Sequence, residues 1–234
     1  MNKPEANAAT LERITNHLIL NAGFTDNLGL YHGKMGIIIF FCHYARYIND
    51  ISYDDFAGIL IEQVYEEIHD KMYFDMEDGL CGIGWGIEYL IQNKFMEGNS
   101  LDILHEIDAK IMERDPLRLS DKSLHTGTGG GLLYSTYQHQ NLPRQQTEGK
   151  ELFDTLYNKA LKKTARQIIR EQAPEECVPI ASLYTKSIKN KKINPVDLLM
   201  EIAGEPETDS EDITRWPLGI QKGCAGVGLK LMTI

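Results

Sequence analysis

The fold of this chain is decided by the stretch Gly29-Leu30-Tyr31-His32-Gly33-Lys34-Met35-Gly36-Ile37, which returns in altered form three more times. The later copies occupy residues 79–87, 123–131 and 219–227. Glycine fills the eighth place in all four copies and the fifth place in three, and the second place is always Leu or Ile. These windows hold 14 of the chain's 20 glycines, which indicates an internal repeat.

The copies begin at residues 29, 79, 123 and 219, so the last interval is about twice each of the other two. This spacing predicts a further repeat unit between the third and fourth copies, in which the glycines have been lost. The segment 176–186 keeps the apolar run of a copy and is the predicted position of that unit.

Two kinds of helix are predicted around these copies. The segment before each copy carries apolar residues along one stripe, and the segment after it is apolar on most sides. The striped segments contain Leu11-Ile14-Leu18, residues 54–72, Leu101-Leu104-Ile107-Ile111, Leu152-Leu156-Ala160-Leu161 and residues 195–203. In the last of these, Asn194 is the predicted N-cap and Pro195 the first helical residue.

Helices that are apolar on all sides must be buried, and striped helices can cover them. The sequence therefore predicts one all-α domain over residues 1–234, an α/α toroid of helical hairpins. It has room for about five pairs of helices, which makes the ring incomplete.

The glycines predict tight turns whose backbones approach the start of each inner helix closely. Helix N-termini carry unpaired N–H groups, so we expect four such ends to face one rim of the ring. The predicted rim contains Gly33, Gly36, Trp85, Gly86, Gly127, Gly130, Gly223 and Gly226.

Composition excludes several classes of partner. The net charge of -10 disfavours binding to nucleic acid and to acidic lipid surfaces. The longest apolar run, residues 35–42, is too short to span a bilayer, and no signal peptide is visible. We therefore expect a soluble, cytoplasmic protein. Its four cysteines are widely spaced and favour neither a disulfide framework nor a zinc finger.

A Gly-Leu-x-x-Gly-x-x-Gly nonapeptide that opens an inner helix at this period resembles the lanthionine synthetase C-like (LanC-like) family. The resemblance covers about residues 11–234 and implies a double ring of inner and outer helices. Cyclases of that family use zinc to add peptide cysteine thiols to dehydrated serine or threonine. Their zinc ligands are two cysteines and one histidine at the third and fourth places of late copies, where the recognisable triplet is Cys-His-Gly. This chain has Gln221-Lys222-Gly223 there in the last copy.

Earlier copies do place metal-binding residue types at the third and fourth positions. These residues are His32, Cys81 and His125, and imidazole and thiolate are good zinc ligands. A Cys/His/His set with an open position predicts a zinc centre that activates a substrate thiol. In the alternative interpretation, the same side chains only pack one turn against the next.

Carboxylates near the second copy suggest another kind of chemistry. Asp78 and Glu88 would suit glycoside hydrolysis if they flanked the mouth of a toroid. The alternative for Asp78, as for Asp26 and Asp75, is capping of the following helix. Glu88 interrupts an apolar helix and needs a partner if it is buried. No phosphate-binding motif follows a strand, which argues against nucleotide binding.

Three hypotheses for function follow. The first is a LanC-like protein of thioether peptide maturation, which acts on a peptide substrate. The second is a non-catalytic module on the same scaffold, which binds a precursor peptide or a partner modification enzyme. An incomplete ring would leave apolar faces uncovered, so a homo-oligomer is also expected. The third is a carbohydrate-active toroid.

Overall fold

A computed structural model describes residues 3–141, 153–186, 193–204 and 212–232. Its α-helices are α1 (Lys3–Asn21), α2 (Lys34–Ile48), α3 (Ser52–Glu67), α4 (Leu80–Gln92), α5 (Ser100–Ile103), α6 (His105–Met112), α7 (Thr128–Asn141), α8 (Thr155–Glu171), α9 (Val178–Lys186), α10 (Pro195–Ala203) and α11 (Cys224–Met232). Within those ranges the chain forms no strand, so the predicted all-α class is confirmed. None of these helices is long and apolar enough to cross a membrane.

The two predicted kinds of helix are present. In α4, 11 of 13 residues are buried, and α2 and α7 are buried to a similar extent. In α3, by contrast, only Ala57, Leu60 and Val64 of 16 residues are buried. Helix α8 likewise buries one stripe, so helices buried on most sides alternate with helices that cover them.

Several predicted helices differ from the observed ones. Helix α3 ends at Glu67, because Ile68 adopts an extended backbone, and not at residue 72. The stripe predicted over residues 101–111 is divided between α5 and α6. In α8, Leu156 is 75% exposed, and the buried stripe runs instead through Tyr157, Leu161 and Ile168. Leu152 lies outside the described residues.

The predicted start of the helix at Pro195 is confirmed. Asn194 caps α10, since its side chain accepts a hydrogen bond from the Val196 N–H, and Pro195 is the first helical residue. The segment predicted as the degenerate repeat unit forms a short 3₁₀ turn over Glu175–Cys177 followed by α9. Helix α9 packs against α7 and α8.

The chain divides into two compact units. Unit 1 contains residues 1–69 and 194–234, so the two ends of the chain belong to one body. In it, α2 packs against α3 and α11, and α11 also packs against α1 and α10. Unit 2 contains residues 70–193, in which α4 packs against α6 and α7. Its second hairpin is the pair α8 and α9.

Candidate functional site

All four glycine turns are built by the same backbone hydrogen bonds. The first N–H of each helix donates to the carbonyl seven residues earlier. These bonds are Lys34 to Asn27 (2.8 Å), Leu80 to Tyr73 (2.9 Å), Thr128 to Asp121 (3.1 Å) and Cys224 to Pro217 (2.8 Å). The second N–H follows the same rule in α2, α4 and α11. The four turns therefore share the hydrogen bond at the helix start, and the third turn differs at the second N–H, where Gly129 donates to Ser123 (3.1 Å).

These bonds correct one expectation from the sequence. The first N–H groups of α2, α4, α7 and α11 are not free, because the preceding loop folds back and supplies carbonyl acceptors. An anion would have to displace main-chain hydrogen bonds in order to bind there. A ligand at the turns would therefore be bound by side chains, or by main-chain groups of the loop that are not used in these bonds.

The glycine before each helix is required by close contact between backbones. A Cβ on Gly223 would lie 2.6 Å from the carbonyl oxygens of Gly219 and Pro217, and one on Gly127 would lie 2.6 Å from the Ser123 nitrogen. Gly33 and Gly79 occupy the same place and also face the backbone of the residue six positions earlier. A larger residue cannot fit at this place without opening the turn.

The shared bonds also correct the register of the second copy. Helix α4 starts at Leu80, so Gly79 corresponds to Gly33 and the second turn occupies residues 75–83, not 79–87. In this register the fifth and eighth places are glycine in all four turns. Trp85 and Gly86 consequently lie inside α4 and not in a turn. Trp85 is fully buried and stacks on Tyr89.

We number the turns 1 (29–37), 2 (75–83), 3 (123–131) and 4 (219–227). The third residue of one turn donates its N–H to the carbonyl of the third residue of a neighbouring turn. In unit 1 Gln221 donates to Tyr31 (3.0 Å), and in unit 2 Glu77 donates to His125 (3.3 Å), whose carbonyl also accepts a shorter bond from Met76 (2.9 Å). Each unit thus holds two turns side by side, joined at their third residues.

The turn pair of unit 1 places a histidine against an amide. His32 Nε2 lies 2.7 Å from Gln221 Oε1, so the imidazole donates to the amide oxygen if it carries hydrogen on Nε2. Next to this pair, Lys34 is buried and donates to Glu67 Oε1 (2.7 Å). The ion pair fixes the start of α2 to the end of α3. Lys222, the fourth residue of turn 4, is exposed.

The turn pair of unit 2 is rich in oxygen atoms. Asp75 Oδ1 accepts from the Asp78 N–H (2.9 Å), which closes turn 2 on itself. Burial raises the pKa of Asp75, and the bond from Asp78 opposes this. In turn 3, Asp121 Oδ2 accepts from the Thr126 hydroxyl (2.7 Å), and that bond lowers the pKa of Asp121. His125 is exposed.

The aspartates near the helix starts do not cap helices as predicted. The residues in the cap positions of α2 and α4 are Gly33 and Gly79, and neither helix start has a side-chain cap. Asp75 instead bonds within its own turn. Asp78 and Glu88 do not form one pair of carboxylates either, because Glu88 lies about 12 Å beyond Leu80 along the axis of α4.

The residues proposed for zinc lie in different settings. His32 belongs to turn 1 in unit 1 and His125 to turn 3 in unit 2, both at the turn surface. Cys81 is the second residue of α4 and is fully buried, and burial raises its pKa well above that of an ordinary thiol. Its side chain does not fit a turn-surface zinc site. Among the described residues, no group of three or more His, Cys, Asp or Glu side chains is placed to hold a metal.

The remaining thiols are buried as well. Desolvation raises the pKa of Cys42, Cys177 and Cys224 to about 12 each. All four cysteines are unpaired and protonated at neutral pH. These cysteines serve as packing residues. Cys177, for example, packs so closely against Gly129 that a Cβ on Gly129 would collide with its sulfur.

Sequence reasoning missed a buried polar cluster in unit 2. Asp108 on α6 is 5% exposed and accepts from the Tyr134 hydroxyl (2.7 Å), which in turn accepts from Gln138 Nε2 (2.6 Å). Glu88 is 1% exposed and accepts from Gln92 Nε2 (2.8 Å). The partner that the sequence demanded for Glu88 is therefore a glutamine one helical turn away.

A sequence signal for Asp108 was available, because it lies four residues after Leu104 and so falls on the apolar face that Leu104, Ile107 and Ile111 define. Comparison of the chain with family models, with curated proteins and with solved structures finds no match.

Proposed function

We propose that this chain is a LanC-like peptide-binding protein of thioether-type peptide maturation. It binds its peptide at the paired glycine turns. The single observation that carries the proposal is the repeated hydrogen bond between third residues, Gln221 to Tyr31 and Glu77 to His125. In the family that the sequence resembles, these turn positions hold the reactive centre.

The proposal includes the α/α ring. It is supported within unit 1 by the packing of α11, the last described helix, against α1 and α2, the first two. A ring of hairpins requires its last inner helix to meet its first. The hydrogen bond from turn 4 to turn 1 has the same relation as the bond from turn 2 to turn 3, which is expected of successive members of one series.

The side chains at the turns suit a peptide main chain. His32, Gln221, Glu77 and His125 provide both hydrogen-bond donors and acceptors at the paired third and fourth places. A peptide group has one hydrogen-bond donor and one acceptor, so it needs both kinds of partner. This binding requires no thiolate. Because the four thiols are buried and protonated, we favour binding of the peptide, or of a partner modification enzyme, over a Cys-ligated zinc cyclase.

A binding assay tests this proposal. The probe is a fluorescein-labelled synthetic peptide that contains both cysteine and dehydroalanine, and anisotropy is measured with the full chain. We expect saturable binding that weakens about tenfold in His125→Ala, the loss of roughly one hydrogen bond. His105→Ala is the matched control, since it removes another exposed histidine of unit 2, from the outer helix α6.

Equal effects of the two substitutions, or no saturable binding, would show that the turns are not the peptide site. Zinc titration of the same samples is a separate arm. Stoichiometric zinc that is lost in Cys81→Ala would contradict our preference and restore the cyclase hypothesis.

A further inference from the structure

Two buried carboxyl groups in unit 2 belong to neighbouring helices. Asp108 lies on α6 and Glu88 on α4, and both helices are in contact. Asp108 is bonded to Tyr134 of α7, and Glu88 is bonded to Gln92 through one oxygen only. Within the described residues, Glu88 Oε2 is buried and has no hydrogen-bond partner. Such a group is costly when ionised.

The groups that surround this pair are neutral or acidic. Cys81 faces it from α4, Tyr134 and Tyr137 from α7, and Tyr157 from α8. Ser100 and Asn141 lie next to the Glu88 carboxylate, together with Gln92. None of these groups carries a positive charge. The polar contacts of Tyr134 with Asp108, and of Ser100, Gln92 and Asn141 with Glu88, lower the two pKa values and oppose the effect of burial, but they do not neutralise a second negative charge.

We propose that Glu88 and Asp108 form a proton-operated latch, which keeps α4, α6 and α7 packed while a proton is held and loosens them when both groups ionise. The latch is independent of any peptide. It acts on the turns because α4 begins in turn 2 and α7 in turn 3, and the bond from Glu77 to His125 needs both helices side by side.

The geometry shows how loosening would spread. The Tyr134 hydroxyl donates to Asp108, and the same side chain lies against Gly84 of α4. A Cβ added to Gly84 would approach Tyr134 to 2.8 Å. One side chain thus touches all three helices at the level of the carboxyl pair. Movement of Tyr134 away from a second charge would separate α4 from α7.

The direction of the pH effect follows from Asp108. Burial, with a smaller contribution from the charge of Glu88, raises the pKa of Asp108 from 3.8 to about 7. The folded state therefore holds a proton that the unfolded chain has released. Stability from this group is complete below about pH 4 and is lost as pH rises through 7.

The test is urea unfolding of the full chain between pH 5 and pH 8.5, with hydrogen exchange at the Leu80 and Thr128 amides. We expect the unfolding constant of the parent, divided by that of Asp108→Asn, to rise by up to about tenfold per pH unit up to about pH 7 and to stay level above it. Asp108→Asn keeps an acceptor for Tyr134 and should remove that part of the slope. Asp102→Asn, at an exposed position on α5, is the control and should keep the parent slope.

A second variant covers the case in which Asp108→Asn does not fold. Glu88→Gln removes the neighbouring charge, so the pH at which stability falls should move to a lower value. An unchanged midpoint in Glu88→Gln, or a parent slope retained in Asp108→Asn, overturns the latch. The same holds if Leu80 and Thr128 exchange at rates that do not follow the pH of the transition.

Discussion

At the scale of single residues, the glycine at the start of α2, α4, α7 and α11 lies against the backbone of the loop that precedes the helix. Gly223 is an example, with two carbonyl oxygens 2.6 Å from the place of a Cβ. We expect Gly223→Ala to lower the free energy of unfolding by about 2–3 kcal/mol, because the turn must open to admit the methyl group. Urea denaturation measures this directly.

The control for that substitution lies in the same unit. Gly58 is inside α3 and has no atom within 4 Å of an added Cβ. Gly58→Ala should therefore raise stability by up to about 1 kcal/mol through helix propensity alone. If both variants lose stability equally, close backbone contact is not the reason for the turn glycines.

His43 on α2 provides a second residue-scale prediction. Burial, helped by the charge of Arg46, lowers the pKa of His43 from 6.5 to about 4. The unfolded chain then binds a proton that the folded chain does not, so stability is present above about pH 6.5 and is lost as pH falls toward 4. We expect His43→Gln to flatten the acid limb of a stability profile.

The exposed residue His105 gives the comparison, since His105→Gln should leave the acid limb as in the parent. A steep acid limb that survives in His43→Gln would assign it to other groups. This window overlaps the one assigned to Asp108, and the two slopes have opposite signs. Each effect is therefore measured as the difference between the parent and its own variant at every pH.

At the scale of helices, α2 and α11 fit together through an aromatic ring and a glycine. Phe40 is fully buried, and a Cβ on Gly228 would collide with its ring. Phe40→Ala should cost about 3–5 kcal/mol, from lost burial and the cavity left behind. Phe24→Ala is the control, because Phe24 is 86% exposed. Similar losses in the two variants, measured by thermal unfolding, would contradict this packing.

The sequence predicted the helices better than it predicted their exact starts. Apolar runs such as residues 37–41 indicate buried helices, because a helix that is apolar on all its sides must be covered on all of them. The second copy was placed four residues too late, because Gly84 and Gly86 inside α4 imitate the spacing of a turn. Requiring glycine at both the fifth and eighth places in all four copies selects residues 75–83 instead.

At the scale of the whole chain, one structural relation occurs in both units. Gln221 bonds to Tyr31 in unit 1, and Glu77 bonds to His125 in unit 2. The sequence showed that the turns were alike, but it could not show which of them are neighbours, since residues 31 and 221 lie at opposite ends of the chain. Nor could it show which groups meet Asp108, since Tyr134 and Gln138 come from another helix.

The central claim is that four turns of different sequence share one backbone structure. Amide hydrogen exchange by NMR tests it most directly, at the first helical residues Lys34, Leu80, Thr128 and Cys224. The first turn of α8, which Asp154 caps in the ordinary way, gives the comparison. We predict that all four amides exchange as slowly as amides in the middle of their helices. Exchange at the rate of an unstructured peptide at any one of them would contradict the shared structure.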